Sequence, residues 1–433
     1  MPDRTNSTFK AIYIDIFPGR YHVHTDKSLV RGRVRVDPSK RPQRVNIAFK
    51  GREKCSITRS SGDSTIRYRE KLPYFAYELE LFSSSTGDRS YEIVSHGIAQ
   101  DNKVDFAFEF RFPEFVTIQE RADKWPESPQ FVSNGCESPP SYEHYSRSHN
   151  DEQHVEYYLE AKLYTENRYT PTMEVRQAII YRPKGQRPSH PIPAIQTPRN
   201  ARLPPILIRT HKLHPEYDPN EGFKSKLKHR FTKHKDTTPC AKFQLAANCP
   251  SVFVLGKPVD LKFSLAHLDR TPDIPVSPPV FLRRILVRLR STIHVRVPIE
   301  SFFSGSIKML DDDHEDKTVL LDRGYNEGDG LLLYDGMLVA TNKWPATLTP
   351  PFKSYGLNLE HTMEVNIWGE CAREKFKMTL VHGKVMGVLV EGADNVRESA
   401  VTRAEGADED GLVLPPPLGE DVSPPPYQVL GKS

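Results

Sequence analysis

The chain has 433 residues, and its 60 Lys and Arg against 56 Asp and Glu leave a net charge of only +4. That length holds two to three ordinary domains, and the near-neutral balance excludes a chain-wide nucleic-acid polycation. The mean hydropathy is −0.57. The 37 prolines are about 8.5% of residues against a usual ~5%, which argues against a mainly helical protein. No apolar run approaches 18 residues, so no transmembrane helix is expected. Residues 1–9 lack the apolar core of a secretory signal. The five cysteines (Cys55, Cys136, Cys240, Cys249, Cys371) are scattered without any CxxC pair. That spacing opposes a zinc or thioredoxin-like site and suits a reduced cytosolic chain. There the sequon at Asn6-Ser7-Thr8 carries no meaning.

The dominant period is two, which marks half-buried strands. Ile12, Ile14 and Ile16 alternate with Tyr13 and Asp15, and Pro18-Gly19 ends the run. Val30, Gly32, Val34 and Val36 alternate with Arg31, Arg33 and Arg35, and Val45, Ile47 and Phe49 precede Gly51. Phe106, Phe108, Phe110 and Phe112 run up to Pro113, and Val155, Tyr157, Leu159, Ala161 and Leu163 follow. The pattern breaks over residues 182–240, a proline-rich stretch that ends in a basic run. Strands resume at Val259, Leu261, Phe263 and Leu265, then at Ile285, Val287 and Leu289, and at Ile293, Val295 and Val297. The acidic residues 311–316 are expected to form a loop. Met363, Val365 and Ile367, then residues 376–389, complete the second set. The expected fold class is therefore all-β, with two immunoglobulin-like β-sandwiches. The first spans residues 9–182, a Pro-rich and basic linker 183–240, and the second 241–390. Residues 391–433 are acidic and rich in Gly, Ala and Pro, and too poor in large apolar side chains to offset ordering entropy, so a disordered tail is expected.

Enzyme signatures are missing from the sequence. Gly431-Lys432-Ser433 resembles the end of a P-loop but has no glycine five residues earlier, and no HExxH, GxSxG or Rossmann fingerprint occurs. Asp311, Asp313 and Glu315 have calcium-loop spacing, yet Asp316 stands where an EF-hand needs Gly and Asp322 where it needs Glu. No catalytic residue, cofactor or metal site is expected. The strongest local signal is Pro424-Pro425-Pro426-Tyr427, a PPxY sequence in the tail. Consecutive prolines preset a polyproline II helix, so docking loses little entropy. Three residues per turn place Pro424 and Tyr427 on one edge, the arrangement a WW domain reads with an aromatic groove and an adjacent pocket. A second match, Pro139-Pro140-Ser141-Tyr142, lies among the strands; packing of Tyr142 into the sandwich is its expected role, with WW binding as the rival. The basic run Lys224, Lys226, Lys228, Arg230, Lys233 and Lys235 is a solvated linker or a contact for an anionic membrane surface, where each cation contributes ~1 kcal/mol. Arg31, Arg33 and Arg35 share one strand face, read as solvated, with acidic lipid or phosphate as the alternative.

The succession of strands resembles the arrestin fold of the α-arrestins. Leu29-Val30-Arg31-Gly32-Arg33-Val34 resembles the family's V-x-G-x-V strand, Val45-Asn46-Ile47-Ala48-Phe49-Lys50-Gly51 the next, and residues 106–113 its F-x-F-x-x-P segment. Ser138-Pro139-Pro140-Ser141-Tyr142 stands at the family's Pro-Ser-aromatic segment, and residues 155–163 resemble its I-x-Y-x-L-x-A strand. Residues 256–265, 285–290 and 363–390 are similar to an arrestin C-terminal domain. With the terminal PPxY, the chain resembles fungal arrestin-related trafficking adaptors, although many of those carry two or more such motifs. The resemblance implies a cytosolic, non-catalytic adaptor recruited to the plasma membrane or endosomes. One face would recognise a membrane transporter or receptor, and Pro424, Pro425 and Tyr427 would recruit a HECT-type ubiquitin ligase through its WW domains. The alternative is a signalling or sorting scaffold of the same fold, of the ambient-pH-signalling or retromer kind, that needs no ligase.

Overall fold

The computed structural model describes residues 11–62, 64–84, 103–118, 124–145, 151–165, 169–183, 194–195, 204–215, 217, 238–250, 252–254, 256–300, 307–325, 330–343, 348–385 and 387–389. Among these the secondary structure is β-strand with two short 3-10 turns. The first sandwich packs a three-stranded sheet against a larger one. In the smaller sheet the strand Leu29–Val36 lies between Ile12–Phe17 and Val104–Arg111, both antiparallel to it. In the larger, Glu152–Thr165 runs between Pro42–Ser61 and Met173–Tyr181, and Ser64–Ser83 extends the edge. Side chains at alternate positions meet between the sheets. Val30, Val34, Val36, Phe108 and Phe110 face Val45, Ile47, Phe49, Leu159, Ala161 and Leu163 in one buried cluster.

The second sandwich is built the same way. Cys240–Pro250 and Asp260–Arg270 pair in one sheet. Val280–Glu300 lies between Ile307–Gly324 and Leu357–Cys371 in the other, with Glu374–Lys384 beyond. Its core includes Phe243, Leu245, Leu261, Phe263, Ile285, Val287, Leu289, Met363, Val365 and Ile367. The all-β, two-sandwich class expected from the periodicity is what the chain adopts.

Two expectations need correction. Residues 311–316 are not a loop: they lie within the strand Ile307–Gly324, Asp311 opposite Arg296 and Asp316 opposite Ser291. The carboxylates are tolerated there because cationic or imidazole groups meet them. His294 Nδ1 lies 2.6 Å from Asp313, Arg59 Nη1 3.1 Å from Asp312, and Arg290 Nε 3.4 Å from Glu315. The strand Pro42–Ser61 itself runs on past Gly51 and turns back at Gly62 (φ +60°) into Ser64–Ser83. Finally, residues 182–240 contain strand: Ile206–Arg209 pairs with residues 240–243, adding to the second sandwich. The tail expected to be disordered, 391–433, lies outside the described residues.

Candidate functional site: partner-binding segments and the seam between the cores

The predicted partner-binding residues fall in three places. Pro424, Pro425 and Tyr427 lie outside the described residues, and so do Lys224, Lys226, Lys228, Arg230, Lys233 and Lys235. The internal segment is described in full. Pro139 and Pro140 are buried, and the Pro139 carbonyl accepts a hydrogen bond from Tyr157 Oη at 2.7 Å. Tyr142 opens the strand Tyr142–Tyr145, which pairs with Glu152–Thr165, and its ring meets Phe352 edge-on at 5.5 Å. Burial, then Asp316, pushes its phenol up. A WW domain needs both prolines and the tyrosine on one open edge, and here they are packed. The three arginines on Leu29–Val36 are also occupied: Arg31 pairs with Glu109, and Arg33 and Arg35 pair with Asp105.

The densest polar constellation is one the sequence reading missed. It lies where strands of the second sandwich's larger sheet enter the first core. Two strands cross from one core to the other: Val280–Glu300 places Val280, Leu282, Ile285 and Val287 in the second core and Ile293, Val295 and Val297 in the first. Leu357–Cys371 does the same with Leu357 and Leu359 at its first-core end. Beside these ends Arg296, 2% exposed, donates through Nε to the Tyr355 carbonyl (2.6 Å), through Nη1 to that of Pro126 (2.8 Å) and through Nη2 to that of Val132 (3.0 Å). Its guanidinium also lies 5.3 Å from the Trp125 ring centroid and 4.5 Å from that of Phe131.

Against this sits Glu53, fully buried on the inward face of Pro42–Ser61. Its carboxylate accepts from the Tyr74 hydroxyl, from the Gly356 N–H at 2.7 Å and from the Cys55 thiol at 3.5 Å. Burial pushes the Glu53 carboxyl up, and the donors Tyr74, Ser354, Gly356 and Cys55 offset part of that. Gly356 is required by this approach: a Cβ there would stand 2.5 Å from Cys55 Sγ and 2.7 Å from Glu53 Oε1. Further out, His144 Nδ1 reaches Asp316 at 3.4 Å, and its ring stacks on His314 at 5.6 Å. The arrangement can hold two sandwiches together and take up a proton.

No protein-family model matches the chain, and no curated protein matches it.

The signal that could have found Glu53 was present. Continuing the alternation of Val45, Ile47 and Phe49 through Gly51 puts Glu53 inward, followed by Cys55 and Ile57. Arg296 gave no such signal, because it is out of phase with Val295 and Val297 and is covered by residues 125–132 from the other side. Among the described residues, no group of three or more His, Cys, Asp or Glu is placed to hold a metal ion, and no helix is long and apolar enough to cross a membrane.

Proposed function

We propose that this chain is a non-catalytic adaptor of the α-arrestin type. It joins a WW-domain HECT-type ubiquitin ligase to cytosolic segments of plasma-membrane transporters or receptors, promoting cargo ubiquitination and endocytosis. The observation that carries the reading is Pro424-Pro425-Pro426-Tyr427, downstream of the last described strand, Gly387–Leu389. A paired β-sandwich scaffold is compatible with such an adaptor, and the packing of Pro139, Pro140 and Tyr142 favours the tail motif as the ligand. The mechanism is proximity: tethering ligase and cargo on one scaffold raises the effective concentration of a cargo lysine at the ligase, to the order of mM for a short flexible tether. The adaptor works in the cytoplasm and is recruited to the plasma membrane or endosomes.

The test is a calorimetric titration of a ligase WW domain with the full-length chain, wild type against Tyr427→Ala. Wild type binds and Tyr427→Ala loses at least tenfold in affinity, because the aromatic pocket is left empty. Undiminished binding by Tyr427→Ala would move the ligand elsewhere. No binding by either chain would refute recruitment of a ligase and favour the scaffold that acts without one.

A further inference from the structure

The surroundings of Glu53 come from both sandwiches. On its own side are Tyr74 and Cys55, with Cys136 and Tyr157 beyond them. Across the seam are Gly356, Ser354 and Tyr355, with Arg296 behind. Among these groups only Arg296 is a cation, and its three hydrogen bonds go to the carbonyls of Tyr355, Pro126 and Val132, not to the carboxylate. Glu53 is thus a buried acid with hydrogen-bond donors and, among the described residues, no ion-pair partner. It touches the opposite sandwich directly at the Gly356 N–H, 2.7 Å away.

An ionised carboxylate in such a place gives up its hydration, and neutral donors return only part of it. A neutral carboxyl avoids that cost: its carbonyl oxygen keeps accepting from the Gly356 N–H and the Cys55 thiol, and its O–H donates to the Tyr74 oxygen instead of accepting from it. Parting the seam would let water reach the group, so the charged form favours the parted state and the neutral form the closed one. We infer that Glu53 is a proton-operated tie between the two sandwiches, closing the seam when protonated and loosening it when ionised. The inference does not rest on recruitment of a ligase.

The raised carboxyl has the matching sign. The closed state holds the proton more tightly than the parted one, so closure is fully favoured below the ordinary value of 4.5. That preference is lost as pH climbs through the raised value. One proton limits the change to about tenfold in the parted-to-closed ratio per pH unit. The imidazole of His144, further out on the seam, works in the opposite direction. Burial holds His144 down, against the pull of Asp316 and with the help of His314, so its protonation opens the seam as pH falls. The direction of the response therefore separates the carboxyl from the imidazoles.

The experiment is hydrogen–deuterium exchange of the full-length chain between pH 5 and 7.5, corrected for the intrinsic exchange rate. It follows peptides covering residues 124–132 and 352–359. Wild-type opening rises with pH by up to tenfold per unit, while Glu53→Gln stays flat at the low-opening level. A wild-type slope of the opposite sign, or a Glu53→Gln slope equal to wild type, overturns the inference. Tyr74→Phe is the second variant, and it decides the matter if Glu53→Gln does not fold. Loss of a donor to the carboxylate raises the carboxyl further and shifts the opening curve to higher pH. A curve that stays in place, with Tyr74→Phe folded, overturns the inference equally.

Discussion

Glu53 and Glu160 are both almost fully buried glutamates on the larger sheet of the first sandwich, 0% and 2% exposed, yet they titrate in opposite directions. Burial raises both. At Glu160 hydrogen bonds and charge from Lys50 and Lys162 overcome it and hold the carboxyl at about 2, whereas Glu53 meets only neutral donors and stays raised. Cationic partners outweigh burial at Glu160, while at Glu53 burial outweighs its neutral donors. The same reasoning applies to His24, 1% exposed beside Phe112 and the edge of His22. Burial, then His22, holds it down at about 4 from 6.5. The folded chain refuses a proton that the unfolded chain accepts, so His24's contribution is complete above pH 6.5 and is lost as pH falls toward 4. The loss is at most about 1.4 kcal/mol per pH unit. Urea midpoints measured between pH 7 and 5 should therefore fall less for His24→Gln than for wild type. Equal slopes would assign the acid sensitivity to another buried imidazole, such as His361.

Strands here follow side-chain period until a bulge changes the phase. In Ser64–Ser83, Phe75 opposes Gly51 but Pro73 opposes Arg52, so Tyr74 is the extra residue. The bulge turns Leu72 and Tyr74 inward on one side of it and Phe75, Tyr77 and Leu79 on the other, which delivers the Tyr74 hydroxyl to Glu53. Pro73 is tolerated because this is an edge strand with no second ladder to supply. Alternation in the sequence cannot locate such a step, since it depends on how the partner strand is paired. The strand Tyr142–Tyr145 makes the complementary point, because its PPxY letters are outweighed by its packing. Tyr142→Ala is expected to destabilise the chain by about 2–3 kcal/mol through the void left against Phe352, with WW affinity unchanged. Urea denaturation and a parallel titration check both parts; a drop in affinity would show the segment to be a ligand after all.

At the scale of the molecule, the two cores are tied by the strands that pass between them and by the Arg296 fork. Arg296→Ala leaves the carbonyls of Tyr355, Pro126 and Val132 without their donor, at about 1–3 kcal/mol for each one left buried and unpaired. The seam loses more than either core, so cooperativity between the cores should fail before either unfolds. Scanning calorimetry is expected to give one transition for wild type and two for Arg296→Ala. A single transition at a lower midpoint would mean that the crossing strands alone couple the cores. Charge at the seam is distributed in the same way: Arg59 binds Asp312 and the Asp311 carbonyl, and Lys353 reaches the Pro129 carbonyl.

The sequence by itself determined the strand class and most inward faces, because alternation along one strand is a local property that burial on one side enforces. Val30 to Val36, Phe108 to Phe112 and Val155 to Leu163 are buried as their period requires. It also carried the terminal PPxY, whose recognition needs only a few consecutive residues. What only the tertiary structure decided involves partners distant in the chain. The acidic residues 311–316 became a strand because Arg59, Arg290 and His294 meet them. Arg296 was buried by residues 125–132, about 170 positions away. Glu53 met Gly356 across 303 positions. Such pairings depend on how whole sheets stack, and no period within a strand encodes that.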